Sequence, residues 1–529
     1  FHTCKIGGKI MKRLTVLLLA MALCLGSVVS AKADGVDIKV KGTYEFAFGW
    51  VWNNSQGNSV NKSQARGDIR DPLEVRQRVR VQINFIINEY LQGVYGLEST
   101  FEWGRNGGGG TGPGNASGAN SGGTMDADGA NIVTRWAYLD WLIPNTPIQV
   151  RMGMQPVALP STRLGTPVFN TDVAGIVVSS PTPLDWLSVT AFWLRPYDAY
   201  GTDFYANDAP RVADRDRFDE TDAFGFILPV NIDSIKLNIK PWFVFANVGA
   251  SSGLYERVFA ADATTGGLNS VARDDRTHGI WAGINFDFKL LDPLTFGLDV
   301  NYGNLHKANL AQVGTDDNYV GSRGWFIAAT LDYKLDFGSN FSVTPGIFGW
   351  WASGDSAGGV ESGQLGRLPN IGTNGGAFKP TSFGTAGYGS SIGQWGECGD
   401  IMGTGLGTWG VGIQLANATF IKDLSHTLRF AYYRGTNDSD IPGLLGNDAR
   451  VRGIKFRDDN LYLTTKDSVF EVNFDHQYKI YENLTAALEL GWLHLKSDED
   501  TWGPGSRTGG EGKEGTNAWK AQVYLTYSF

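Results

Sequence analysis

Every second residue at the carboxyl end is apolar or aromatic: Trp519, Ala521, Val523, Leu525, Tyr527 and Phe529, with Lys520, Gln522, Tyr524, Thr526 and Ser528 between them. Side chains of a strand alternate between two faces, so one face of this segment suits lipid and the other suits water. The same pattern runs near the other end, where Ile38, Val40, Tyr44, Phe46, Phe48, Trp50 and Trp52 oppose Lys39, Lys41, Thr43 and Glu45. Beyond the first residues no segment approaches 18 consecutive apolar residues, which rules out a helical crossing. In lipid the remaining way to satisfy every backbone group is a closed barrel.

The amino-terminal sequence supplies an address that fits. Met11 opens a basic stretch, Lys12 and Arg13, followed by an apolar run from Leu14 to Leu25 and an Ala31-Lys32-Ala33 cleavage motif before Asp34. This predicts a signal peptide over 11–33 and a mature domain over 34–529; a membrane anchor needs about 20 apolar residues. Cys24 follows Leu23, where lipid modification wants a small residue. Residues 1–10 precede this start and receive no function. The leader carries five basic and no acidic side chains, so cleavage makes the formal charge of −9 more negative still. Such an acidic chain is a poor nucleic-acid binder. Of 3 cysteines only Cys398 survives cleavage, and the 6 histidines are scattered, so neither a disulfide framework nor a metal or cofactor site is expected.

The mature chain repeats one unit: strand, short turn, strand, long polar loop. Short turns fall at 88–90, 144–147, 181–185, 231–233, 290–293, 336–340 and 481–483, and the clearest long loops at 104–130, 251–277, 353–407 and 435–465. This is an all-β, antiparallel up-and-down transmembrane barrel with short periplasmic turns and long extracellular loops. Seventeen strands are apparent. Both termini on one side require an even number, and Gly175 to Ser180 is the segment that raises the count to about 18; a count of 16 stays open.

With Leu525, Tyr527 and Phe529 at its end, the chain resembles trimeric Gram-negative porins, most of all the outer-membrane homotrimeric porin family of sulfate-reducing bacteria. The resemblance spans the mature length. It implies an outer-membrane location, recognition of those three residues by the barrel-assembly machinery, a homotrimer, contact with outer-membrane lipid and lipopolysaccharide, and passage of small hydrophilic solutes and ions. An apolar wall at Trp136, Tyr138, Leu139 and Trp141 is compatible with a trimer interface and equally with a lipid belt.

A second likeness lies in Arg76, Arg78 and Arg80. Alternation sets them opposite Val75, Val79 and Val81. Lipid would charge about 2 to 4 kcal/mol for each near the midplane, so they face the lumen. There they resemble the basic ladder of a porin eyelet, with Arg151 as a further member; pairing with lumen carboxylates to hold the wall is the alternative. Residues 156–173 form the third extracellular loop, where porins fold a constriction loop inward, and its charges are chiefly Arg163 and Asp172. The Pro-Glu-Phe-Gly-Gly stretch of enteric porins is missing here, which leaves the eyelet assignment open. The sequence leaves selectivity open, with a slight lean to anions at the constriction, because acidic residues also crowd the chain.

Other clusters carry less. The acidic run from Asp214 to Asp222 reads as a solvated loop rather than a calcium site, since arginines interleave it. Asp498 to Asp500 reads as a loop tip. No G-x-S-x-G nucleophile accompanies His426, His476 and His494, which read as structural or lumen-lining, so no enzyme is expected. A passive water-filled channel fits best. A substrate-specific channel, for sugars for instance, would show a row of aromatics along the lumen. An energy-coupled transporter would need a plug domain before Ile38, and a surface adhesin or structural barrel is the non-transport alternative.

Overall fold

The computed structural model describes residues 31–33, 35–52, 73–103, 132–198, 220–249, 276–289, 291–309, 319–338, 341–371, 378–383, 406–444, 463–502 and 515–529. Residues 11–30 of the expected signal peptide, the 104–130 loop, Asp214 to Asp219 and Cys398 lie outside these, whereas Ala31–Ala33 form a short strand antiparallel to the residues 36–38 that follow.

Eighteen long strands form the wall. They are β1 (Val36–Trp52), β2 (Leu73–Ile86), β3 (Leu91–Glu102), β4 (Val133–Leu142), β5 (Gln149–Ala158), β6 (Asn170–Pro181), β7 (Ser188–Asp198), β8 (Glu220–Ile227) and β9 (Leu237–Gly249). The second half comprises β10 (Arg276–Phe288), β11 (Leu294–Asn309), β12 (Tyr319–Tyr333), β13 (Ser342–Ala352), β14 (Thr408–Ile421), β15 (Leu424–Gly435), β16 (Ser468–Tyr481), β17 (Leu484–Lys496) and β18 (Gly515–Ser528). Each pairs antiparallel with the next, and β1 also pairs with β18, from Thr43 opposite Ser528 to Trp52 opposite Trp519. The sheet has no free edge. Parity counting is borne out, because Gly175 to Ser180 belongs to β6.

The last residue extends the closing seam. Gly42 and Phe529 exchange backbone hydrogen bonds of 2.9 and 3.0 Å. A Cβ on Gly42 would sit 2.6 Å from Phe529 Cζ, so only glycine leaves room for the ring. Outward positions are apolar and bare: Ile413 is 56 % exposed, Ile347 54 % and Trp519 53 %. Soluble monomers do not show such a continuous apolar band.

The inward face explains much of the glycine. Inward aromatics lie flat across glycines of neighbouring strands: a Cβ on Gly283 would meet the Trp242 ring at 2.5 Å, on Gly410 the Trp350 ring at 2.3 Å, and on Gly412 the Phe348 ring at 2.3 Å. Removing the side chain on one strand lets a large ring cover the gap on the next.

Candidate pore and constriction

A barrel of 18 strands spaced about 4.8 Å and tilted about 40° is roughly 35 Å across at its backbone, too wide for sorting small solutes unless something fills it. Two loop segments do. Residues 159–169, between β5 and β6, turn into the barrel and bury Leu159, Leu164, Val168 and Phe169. The expected loop of 156–173 is therefore shorter, since Pro156 to Ala158 and Asn170 to Val173 are strand. Its far end is pinned on the opposite wall: Thr162 N donates to Asp299 Oδ2 at 2.5 Å, and Arg163 grips Asp332 of β12 at 2.6 and 3.1 Å.

The second segment comes from the loop between β13 and β14. Leu365, Leu368, Ile371, Phe378 and Phe383 are all buried. Trp281 Nε1 donates to Pro369 O at 2.8 Å and Tyr197 Oη to Ile371 O at 3.2 Å. Ile371 N donates to Val168 O at 3.0 Å and Lys379 N to Leu164 O at 2.6 Å, tying the two segments together. Beyond them, Phe383 N donates to Glu471 Oε1, and Lys520 Nζ bridges Ser382 O and Glu489, each near 3 Å. These contacts fall on β7, β10–β12 and β16–β18.

The arginines stand on the remaining wall. Alternation places Arg76, Arg78 and Arg80 on the face that bears Glu45 and Ala47 of β1 and Glu98 and Thr100 of β3. Arg80 Nε meets Glu98 Oε2 at 2.7 Å, Arg78 Nε lies 3.5 Å from Oε1 and donates to Thr100 Oγ1 at 2.9 Å, and Arg135 approaches at 3.7 Å. One carboxylate thus serves three guanidiniums. Arg76 is buried, and Lys39 and Lys41 continue the inward row toward the short-turn end, both exposed. Arg151 is also inward, opposite Asp140, with its guanidinium carbon 6.0 Å from the Tyr138 ring centre. The ladder and Arg163 therefore sit on different parts of the lumen. Asp172 is not on the loop. It pairs with Pro156 in the register opposite the inward Gln155 and Val173, and accepts from Arg135 Nε at 2.6 Å and Trp136 Nε1 at 2.8 Å.

Several expectations change. Trp136, Tyr138, Leu139 and Trp141 do not form one wall: Leu139 and Trp141 are exposed on the outside, whereas Tyr138 faces in. His426 and His476 are outward rather than lumen-lining, their Nδ1 atoms 2.6 Å apart beside Phe420 and Phe474. Asp498 to Asp500 is not a free tip, because the short helix Glu499–Trp502 folds back and buries Trp502. Glu98, Arg135 and the inward residues of 364–371 and 378–383 were missed. The apolar residues at 365, 368, 371, 378 and 383 in a nominally external loop were the available signal.

No family model and no curated protein matches the chain, so the likeness to trimeric porins rests on the residues that suggested it. Solved structures that it is similar to are barrels. OprD of Pseudomonas aeruginosa is 12 % identical, with 94 % of this chain and 96 % of that one covered and a TM-score of 0.49. OccAB1 of Acinetobacter baumannii is 12 % identical over 93 % and 97 %, with a TM-score of 0.45. Wzi of Escherichia coli, described as a carbohydrate-binding β-barrel, is 11 % identical over 97 % and 88 %, with a TM-score of 0.44. At these values the likeness carries no argument; the architecture stands on the strand pairing itself.

Proposed function

We propose that this protein is an outer-membrane porin, a passive water-filled channel for small hydrophilic solutes that favours anions. The observation that carries the reading is the division of the lumen. Latched loops fill one side of the closed barrel, and the side left over bears Lys39, Lys41, Arg78 and Arg80, with Glu98 shared among three guanidiniums. Fixed cations lining a passage admit anions more readily than cations, and Lys39 and Lys41 stand exposed beyond the paired arginines. The substrate-specific alternative asked for aromatics along open water. Inward aromatics exist, but Trp281, Phe326 and Tyr433 are fully buried, and Phe378 packs against Phe326 at 4.8 Å and Trp350 at 5.7 Å. These rings pack against loops and walls, and of the other inward aromatics Tyr138 lies part-buried beside Arg151. Homotrimeric assembly, and reading of Leu525, Tyr527 and Phe529 by the assembly machinery, belong to the same proposal.

The test is reversal potential across a planar bilayer under a KCl gradient. The wild type gives the sign of an anion-preferring pore, and Arg78→Gln with Arg80→Gln moves the potential toward zero or past it. An unchanged potential in that variant contradicts the role of the ladder.

A further inference from the structure

All five described histidines stand on the outward face of the barrel, and four of them meet in pairs across neighbouring strands. The two pairs are built differently. His278 and His306 lie at the long-loop rim, ring over ring at 3.9 Å between centres, and His306 Nε2 is 3.3 Å from the carboxamide nitrogen of Asn304. His426 of β15 and His476 of β16 are direct partners in register, near the short turns that follow β14 and β16. Their rings stand at 84° to each other with the Nδ1 atoms 2.6 Å apart. Packing holds both rings: Phe420 stacks on His426 at 4.7 Å, and Phe474 meets His476 edge-on at 4.2 Å. His426 Nε2 is buried and has no hydrogen-bond partner, so Nδ1 is the nitrogen through which that ring meets a ligand. Ala418 and Leu488, which flank the pair in register, carry no charge that would repel a cation.

We infer that His426 and His476 hold one divalent transition-metal cation, of the zinc, nickel or copper kind, between their Nδ1 atoms. At their separation the two nitrogens share a single proton; without it, two lone pairs would face each other. A metal ion accepts both pairs. Metal–nitrogen bonds of about 2.0–2.1 Å at a tetrahedral angle put two ligand nitrogens about 3.3 Å apart, so the rings need to part by less than about 1 Å. Each neutral ring then carries its proton on Nε2, and none has to leave the pair at neutral pH. Among the described residues no group of three or more histidine, cysteine, aspartate or glutamate side chains converges, so water fills the remaining positions on the ion. Imidazole suits such cations, whereas calcium and magnesium want oxygen ligands. The ion clips β15 to β16 on the outside of the wall. Neither the ring positions nor the register depends on whether the barrel conducts.

Equilibrium dialysis of the untagged, detergent-solubilised full protein against zinc chloride, with bound metal counted by mass spectrometry, tests this. The wild type takes up one zinc ion per chain and does not take up calcium. His426→Gln and His476→Gln each weaken zinc binding at least about tenfold, the least that loss of a ligand costs a metal site, while His278→Gln combined with His306→Gln leaves it unchanged. Electron paramagnetic resonance of the copper-loaded wild type shows coupling to two nitrogens, and either single variant loses it. No zinc uptake by a folded wild type overturns the inference. So does equal uptake of calcium, uptake that survives both single substitutions, or uptake lost with His278 and His306 instead. If neither single variant folds, the copper spectrum of the wild type decides, since absence of nitrogen coupling overturns the inference by itself. Zinc bound by a barrel that does not conduct removes the porin reading and leaves the pair.

Discussion

At the scale of single residues the fold turns on close approaches. Gly42 is the plainest: a Cβ there would stand 2.4 Å from Arg80 O and 2.6 Å from the Phe529 ring, at the seam where the last strand meets the first. Gly42→Val should destabilise the barrel by roughly 1–3 kcal/mol, the usual cost of overpacking. A lower urea midpoint for loss of the heat-modifiable gel form checks it, and an unchanged midpoint contradicts the account of the seam. Glu98 is the second such point. Glu98→Gln removes the shared counter-ion of Arg78, Arg80 and Arg135, and raises the anion preference of the pore, read as a larger reversal potential of the wild-type sign. The inward direction of Arg76, Arg78 and Arg80 was legible in the sequence because charge is costly in lipid and alternation leaves one other face. Arg135 was not, since it sits at a bulge where the β4 register shifts between Gly96 and Leu97 of β3, and period two loses its count there. Asp172 was misplaced for a related reason: nothing in its neighbours marks where loop becomes strand.

Among elements, the 159–169 loop matters most. It is tethered by Arg163 to Asp332, which also accepts from Gln414 Nε2 at 3.1 Å. Arg163→Gln frees that end. The expected result is a larger and noisier single-channel conductance, and a conductance identical to wild type contradicts the latch. A separate element, the short helix at 499–502, reports on pH. Burial alone would raise the Asp498 carboxyl, but hydrogen bonds from Thr501 and the ammonium of Lys466 outweigh it and hold the group below the ordinary range. A carboxyl lowered in the folded state contributes stability above its unfolded value of about 3.9 and loses it as pH falls through the folded one. Protease cleavage within 498–502 should therefore rise as pH drops below about 4, and Asp498→Asn should show that susceptibility already at neutral pH. Strands and short turns were readable because alternation and turn residues are local. The stretches 364–371 and 378–383 were not, because their burial depends on Val168, Leu164 and Glu471, far away in the chain.

For the whole molecule, eighteen paired strands with an apolar exterior leave no stable state in water, and the same closure makes an interior too broad to sort solutes unaided. Folding loops inward answers the second problem and fixes which wall stays wet. The number of strands followed from parity, but the partition of the lumen did not, since it depends on which long loops carry apolar residues and where those residues find partners. The central claim is that this partitioned barrel conducts. The most direct measurement is single-channel recording of the purified, unboiled protein in a planar bilayer. Stepwise insertions of a stable, ohmic conductance, in groups of three coupled levels for a trimer, are the result expected here, and a correctly folded barrel that inserts without any conductance would contradict it.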